Sequence, residues 1–465
     1  MKLADSTNGE TELPVNLLVG ADSYWNFVSG QIIKGKGGPV AVQTSLGWVL
    51  SGKMDEGGES STNMMLTHVM GISVTEAEEE SEKLDELVRK FWQIDSVGIG
   101  VPVDLKESRN QVIDDFKRNI KFDGCRYTVS LPWKQNVGVI PDNFLLCKRR
   151  LDTLLKRLRK NKDVLENYDN IIKQQEADGI VESAVDTCNE SGRVHYIPHR
   201  EVIRRDKENW CRIVYDGSAK GKNQVSLNDC LEKGPCLLPK IFEILVRFRC
   251  YEIAVVSDIK SAFLNIRVDE KDRDYLRFLW ISDIFKETPD VVVKRMTSVL
   301  FGLNSSPFLL GATITTHMEK FLRTDEVVVK TFLRDLYMDD DVSGAQSLDK
   351  AFKLYFQSKS LMRKGGFELR KWTTNNTELR AKIRGTEEEV FGATDSVADE
   401  SEKKILGIGW KPKEDELSFP ISEVVSNAQQ NKLSLTKRFV LKIVSSFFDP
   451  LGVWAPVTIL FKLFI

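Results

Sequence analysis

AVVSDIKSAF (254–263) and LYMDDDVSGA (336–345) decide how this chain is organised. The first is an apolar run that closes on Asp258, which predicts a buried strand from 255 with a carboxylate at its end. The second sets two short apolar arms around an acidic turn, which predicts a hairpin with Asp339 and Asp340 at the bend. Gathering several carboxylates in one place is costly unless they are paired or hold a metal. Their natural partner is a hard divalent cation, and two such ions about 4 Å apart can activate a hydroxyl and stabilise a leaving pyrophosphate in an in-line displacement. Two plainer readings stay open: a solvated acidic loop at the hairpin and a helix cap at Asp258.

Working outward, VVVKRMTSVLFGLNSSPF (291–308) contains another strand, then a Ser-Ser-Pro helix start that leads into LLGATITTHMEKFL (309–322). Residues 193–216 predict two strands joined by the charged turn RRDKEN, a hairpin with cations at its tip. Helices are expected at 85–94, 237–250 and 349–363, and GGFELRKW (365–372) and KKILGIGW (403–410) follow the last of them. From 141 the chain turns basic: Lys148, Arg149, Arg150, Lys156, Arg157, Arg159, Lys160 and Lys162 surround Leu151, Leu154, Leu155 and Leu158 at helical spacing. Such a helix either neutralises phosphates along a nucleic-acid groove or is a solvated face balanced by Asp152, Asp163 and Glu166. His195 and His199 are four apart, but Pro198 between them implies an extended segment and structural roles rather than a helical metal pair.

The amino-terminal region differs in texture. VNLLVGAD (15–22) and GQIIKGKGGPVAVQTSLGWVLSG (30–52) alternate apolar runs with glycines and predict short strands, after which an acidic linker closes on TEAEEESEK (75–83). The 465 residues suit two to four folding units, and 42% apolar with 29% charged residues excludes collagen-like, disordered and disulfide-scaffold classes. Lys and Arg total 66 against 68 acids, so a polyanion would have to be met by local patches. Seven scattered cysteines without a C-x-x-C pair fit a reducing compartment, and no signal layout or membrane-length apolar run occurs, so an intracellular, cytoplasmic protein without a membrane partner is expected. The apolar tail Val453–Ile465 has the look of a truncated reading frame.

VVSDIKSAF, FGLNSSPFLL and LYMDDD occur in the order and rough spacing of the palm motifs of reverse transcriptases. KFDGCRYTVSLPWK (121–134), NFLLCKRRLDTLLKRL (143–158) and RIVYDGSAKGKNQVSLNDCLEKGP (212–235) extend the likeness, and from about residue 12 onward the chain resembles the Pol polyprotein of BEL/Pao long-terminal-repeat retrotransposons. The resemblance implies an α+β right-hand polymerase, with fingers and a ferredoxin-like palm sheet, acting as an RNA-directed DNA polymerase. It makes Asp258, Asp339 and Asp340 catalytic ligands of Mg²⁺ (or Mn²⁺), with the Ile259 carbonyl sharing an ion and Tyr337 and Met338 leading into the paired aspartates. Phe263, five residues after Asp258, falls where an aromatic ring excludes a 2′-hydroxyl; a core phenylalanine is the alternative.

Arg205 and Arg212 match positions that grip the triphosphate, a task suited to the planar guanidinium fork, with surface ion pairing as the alternative. Gly302, Ser306 and Pro307 match the motif that lets template backbone and incoming base approach closely. Lys371 in LRKW matches the late lysine that protonates pyrophosphate, and ILGIGW (405–410) resembles the hairpin that grips the primer end. One departure stands out. Asp341 follows the usual pair where relatives carry an apolar residue, and it is expected to add like-charge repulsion that disturbs the metals.

LLVGADSYWNFVSG (17–30) and GGPVAVQTSLGWVLSG (37–52) resemble the carboxy-terminal half of the family's β-rich retropepsin-like protease, with Leu18, Val19 and Gly20 in a strand under its active-site loop. ADSTNG places Thr7 where the catalytic D-[ST]-G needs glycine, so this part is expected to be an inactive remnant. The implied layout is a protease remnant over 1–55, linker 56–84, connector and fingers 85–250, palm 251–415 and a truncated thumb 416–465, without RNase H or integrase. Expected partners are an RNA or DNA template with primer, and deoxynucleoside triphosphates. The rival expectations are a catalytically inactive remnant that only binds nucleic acid and, against the missing D-[ST]-G, a surviving peptidase.

Overall fold

In a strand, successive side chains alternate between faces, so an apolar run with one polar position late in it can serve two cores and still expose one group. The strand Ile253–Ile259 does this. The computed structural model describes residues 27–34, 40–45, 47–51, 104–135, 140–184, 194–203, 210–391, 402–419 and 436–463, and the chain divides into two compact units, Met1–Gly100 and Val101–Ile465.

In the first unit, Val28–Lys34, Val40–Thr44 and Gly47–Ser51 form an antiparallel meander in chain order, as the glycine-bounded apolar runs require. Ala41 and Val42 of the middle strand are buried. Asp5, Ser6 and Leu18–Gly20, on which the protease expectation rests, lie outside the described residues, as do 56–84 and the helix expected at 85–94.

The second unit is a mixed α and β architecture of several small sheets, in keeping with an α+β class. Its central sheet has four antiparallel strands in the spatial order Leu336–Tyr337, Asp340–Ala345, Ile253–Ile259, Leu369–Thr374. Ile253, Val255 and Ile259 point into the main core, which includes Tyr355, Leu361 and Met362 of the helix Leu348–Lys364. Ala254 points the other way, with Val342, into a second core built from Ile244, Leu245 and Phe248 of the helix Ile241–Arg249 and from Ile405, Ile408 and Trp410. Asp258 has the parity of Ala254 and therefore stands on the second face, at the end of the sheet.

Two further pieces position the site. His199–Ile203 and Cys211–Tyr215 form the expected antiparallel hairpin, its turn lying outside the described residues. The basic segment forms the helix Phe144–Leu158, whose Cys147, Leu151, Leu154, Leu155 and Leu158 are buried, as the 3.6-residue spacing demands. His195 and His199 are buried; the former meets the Pro141 carbonyl, and the latter meets Tyr168 Oη and the Leu279 carbonyl. Burial pushes the His199 imidazole down to about 4, which keeps it neutral and structural.

Candidate active site

The hairpin between Tyr337 and Asp340 turns through only two residues, Met338 and Asp339. Met338 takes up φ +58°, a conformation usually left to glycine, and this tight bend sets the aspartates at the strand end. Asp340 pairs directly with Asp258 in the neighbouring strand. The backbone N–H of Ile259 donates to the Asp339 carbonyl at 2.7 Å, carrying the ladder into the turn. Asp258, Asp339 and Asp340 thus collect at one end of the sheet. Like charges opposite one another are unfavourable unless compensated.

Compensation comes from the far side. Arg370 pairs in register with Asp258, and the register then slips between Arg370 and Thr373, with Lys371 at φ +54°. This irregularity brings two successive side chains to one acceptor: Arg370 Nη2 lies 3.3 Å and Lys371 Nζ 3.7 Å from Asp258 Oδ2. Asp258 Oδ1 is buried and has no hydrogen-bond partner. Burial, with a contribution from the Asp258 charge, pushes the Asp339 carboxyl up, and the Arg212 charge opposes that rise. Arg212 stands exposed on the strand Cys211–Tyr215.

The donor set suits a hard cation. It consists of oxygens only, one of them buried and unpartnered, with a neighbouring carboxyl already disfavoured as a lone charge. Among the described residues, however, no group of three His, Cys, Asp or Glu side chains is already arranged to hold a metal ion.

Asp341 stands apart from the pair in placement. It pairs with Ser257, not Asp258, and so leaves the opposite face of the sheet from Asp340. Its carboxylate is fully buried, accepts from Ser343 Oγ at 2.7 Å, and is pushed by burial up to about 8. Burial is the main cause of that rise, with smaller contributions from the Asp335 and Asp340 charges, so the expected coupling to the pair is present but acts through a carboxyl that favours its proton.

The remaining expected residues surround this sheet end in different ways. Phe263 is 2% exposed and meets Phe301 edge-on at 4.3 Å between centroids, whereas Phe301 itself is 54% exposed. Gly302, at φ +113°, passes so close to the Cys211–Tyr215 strand that a Cβ there would lie 1.9 Å from the Tyr215 carbonyl oxygen. Its own carbonyl accepts from Asn228 Nδ2 at 3.0 Å, and Asn228 Oδ1 accepts from the Asn304 N–H at 2.9 Å. Ser306 is buried and donates to the Leu300 carbonyl, and Pro307 sits in the first turn of the helix Ser306–Glu319. In the described structure, then, Gly302 and Ser306 meet internal partners. Tyr337 packs against the second core and Met338 against the main one. Arg205 lies outside the described residues.

ILGIGW forms a hairpin in which Ile405 pairs with Ile408 across Leu406 and Gly407, at φ +47° and +92°. Positive φ at both turn positions is the arrangement that matches strand twist. On the basic helix, Arg157 is bound through two nitrogens to Glu201 at 2.6 Å each, and Arg150 is bound to Asp216 at 2.6 Å. Lys148, Lys156 and Lys160 are exposed and form no ion pair among the described residues.

The chain matches no protein-family model and no curated protein. Arg370, Phe301 and Asn228 went unmarked in the sequence. Arg370 adjoins Lys371, but its approach to Asp258 comes from a pairing between distant strands that the sequence does not mark.

Proposed function

We propose that the second unit is an RNA-directed DNA polymerase that extends a primer by nucleotidyl transfer. The observation that carries this reading is the register of Asp258 against Asp340, with the Ile259 N–H bound to the Asp339 carbonyl, which brings three half-buried acidic residues to one end of the sheet. Asp258, Asp339 and Asp340, with the Ile259 carbonyl, are the groups that would hold Mg²⁺ or Mn²⁺. When bound, such ions activate a primer hydroxyl and neutralise charge on the transferred phosphate.

The chain's own residues do the rest. Arg212, exposed and within electrostatic reach of Asp339, binds the triphosphate. Lys371, held near Asp258 by its left-handed backbone, supplies a proton to the departing pyrophosphate. The exposed Phe301, backed edge-on by the buried Phe263, faces the sugar. By its resemblance to reverse transcriptases, an aromatic wall here would exclude the 2′-hydroxyl and favour deoxyribose. Residues 1–55 are taken as a protease remnant without catalytic function.

The test is extension of a DNA primer on an RNA template with Mg²⁺ or Mn²⁺, comparing the chain with its Asp339→Asn variant. A ligand loss worth several kcal/mol in the transition state is on the order of a hundredfold or more in rate. Extension retained in the variant removes Asp339 from the chemistry. A second reading, binding of nucleic acid without catalysis, is favoured by one observation: no three acids are already gathered as a metal cage among the described residues. Intact primer-template binding without extension in the unaltered chain selects it.

A further inference from the structure

We infer that Arg370 is an exchangeable counter-ion of Asp258, occupying the carboxylate that a divalent cation would use and lowering the site's affinity for that cation. This rests on the metal-binding reading of Asp258 given above. Four observations carry it.

Arg370 stands opposite Asp258 in the ladder, so its approach to that carboxylate is built into the register. The contact is nevertheless weak for its type. Nη2 lies 3.3 Å from Oδ2 and Nε is buried with no hydrogen-bond partner, whereas charge-assisted guanidinium–carboxylate pairs commonly close to about 2.7–2.9 Å through two nitrogens. The same chain shows what a fastened pair looks like: Arg157 holds Glu201 through two nitrogens at 2.6 Å each. Arg370 is therefore near Asp258 without being locked to it.

The slip after Arg370 is the third observation. A regular strand would turn Lys371 to the other face, but its φ of +54° re-aims it to the same oxygen at 3.7 Å. Left-handed backbone at a non-glycine residue costs on the order of 1–3 kcal/mol, and here it doubles the positive charge on one carboxylate oxygen. Finally, the two cations share Oδ2 and leave Oδ1 buried and unpartnered. A carboxylate secured for stability alone would have both oxygens satisfied.

The cations of this sheet end face individual acids. Asp258 is faced by Arg370 and Lys371 from the strand Leu369–Thr374, and Asp339 feels the charge of Arg212 from the strand Cys211–Tyr215. A free divalent cation approaching Asp258 meets two positive side chains on Oδ2 and must push aside a guanidinium. Removing that guanidinium charge a few ångströms from the ion strengthens binding, because at such range a unit charge still matters even at an effective dielectric of about 20.

The experiment is Mn²⁺ titration of the full chain at low salt without nucleotide, with free Mn²⁺ followed by its electron paramagnetic resonance signal. Arg370→Gln is expected to bind Mn²⁺ about tenfold or more tightly than the unaltered chain, roughly what loss of 1.4 kcal/mol of repulsion gives. Arg370→Lys, which keeps the charge, should stay near the unaltered affinity, and adding Asp258→Asn to Arg370→Gln should cancel the gain. Lys371→Gln, a change at an exposed side chain, should move affinity the same way by a smaller factor, which keeps the test available if Arg370→Gln folds poorly. Binding that depends on Asp258 but is unchanged or weaker in Arg370→Gln and Lys371→Gln overturns the counter-ion role and leaves the metal site standing. Absence of Asp258-dependent Mn²⁺ binding in every variant overturns both.

Discussion

Asp340 and Asp341 are neighbours in the chain yet leave opposite faces of one strand, Asp340 opposite Asp258 and Asp341 opposite Ser257. One residue stands on the Asp258 side of the sheet end, and the other's carboxylate lies fully buried against the Ser343 and Ser257 hydroxyls. Strand alternation alone separates the two environments.

Their separation predicts a pH dependence of stability. Burial pushes Asp341 up from the usual 3.8 to about 8, so the folded chain keeps a proton that the unfolded chain gives up. For a group raised on folding, its contribution is whole below the unfolded pKa and is lost as pH climbs through the folded one. Stability should therefore decline between about pH 4 and pH 8 on account of this residue. Asp341→Asn, which keeps the acceptor for Ser343 and cannot ionise, should flatten that decline and make the chain roughly 1–3 kcal/mol more stable at pH 8. Urea denaturation of both proteins at pH 5 and pH 8 measures the difference; equal slopes with pH would mean that Asp341 ionises freely.

Gly302 should tolerate no side chain. At φ +113° and with the Tyr215 carbonyl oxygen 1.9 Å from where a Cβ would sit, Gly302→Ala has to break either the close approach or the backbone conformation. The expected loss is about 2–4 kcal/mol, from backbone strain plus overpacking. Denaturant unfolding reports it as a lower midpoint at unchanged slope, and a loss below 0.5 kcal/mol, the ordinary surface range of roughly ±0.5, would mean that the loop moves away freely.

Salt dependence locates the nucleic-acid face. Arg157 and Arg150 of the basic helix are committed to Glu201 and Asp216, which leaves Lys148, Arg149 and Lys156 as its exposed cations without an ion pair among the described residues. If this helix lines the groove, the triple change to Gln should reduce the slope of log affinity against log salt by roughly 2–3, near 0.7–0.9 per phosphate contact. Fluorescence anisotropy with a labelled primer-template at several salt concentrations provides the slopes, and identical slopes would place the helix elsewhere.

How far the sequence revealed this arrangement depends on the range of the interaction. The strand ending at Asp258, the tight acidic hairpin and the helix opening at Ser306-Pro307 were all legible, because apolar periodicity, turn length and a first-turn proline are local signals. The two faces of the sheet were legible in principle from parity, yet Asp341 was expected to crowd the metal site because three consecutive acids look alike without a register. Arg370 and Lys371 reach Asp258 only through a slip in pairing between strands more than a hundred residues apart, which no local pattern encodes. Gly302 carried the right demand, close approach, but its partner was the Tyr215 carbonyl, a contact that only the tertiary fold supplies.

Two aromatic rings that the sequence could not rank lie beside the sheet end and should respond differently to mutation. Phe263 falls at the expected distance from Asp258 but is 2% exposed, while Phe301, 54% exposed, covers it edge-on. Phe263→Val opens a cavity in the main core and should cost about 1–3 kcal/mol; Phe301→Ala removes a half-exposed ring and should cost under about 1 kcal/mol. In a polymerase the two should also differ in kinetics. Phe301→Ala weakens stacking at the site entrance and should raise KM for deoxynucleotides at nearly unchanged kcat, since uniform binding is lost. Phe263→Val removes the wall behind it and should narrow the preference for deoxy- over ribonucleotides. Single-nucleotide extension with dATP and ATP measures both quantities. A preference that shifts in Phe301→Ala but not in Phe263→Val would make the exposed ring the one that meets the sugar and leave Phe263 as its support.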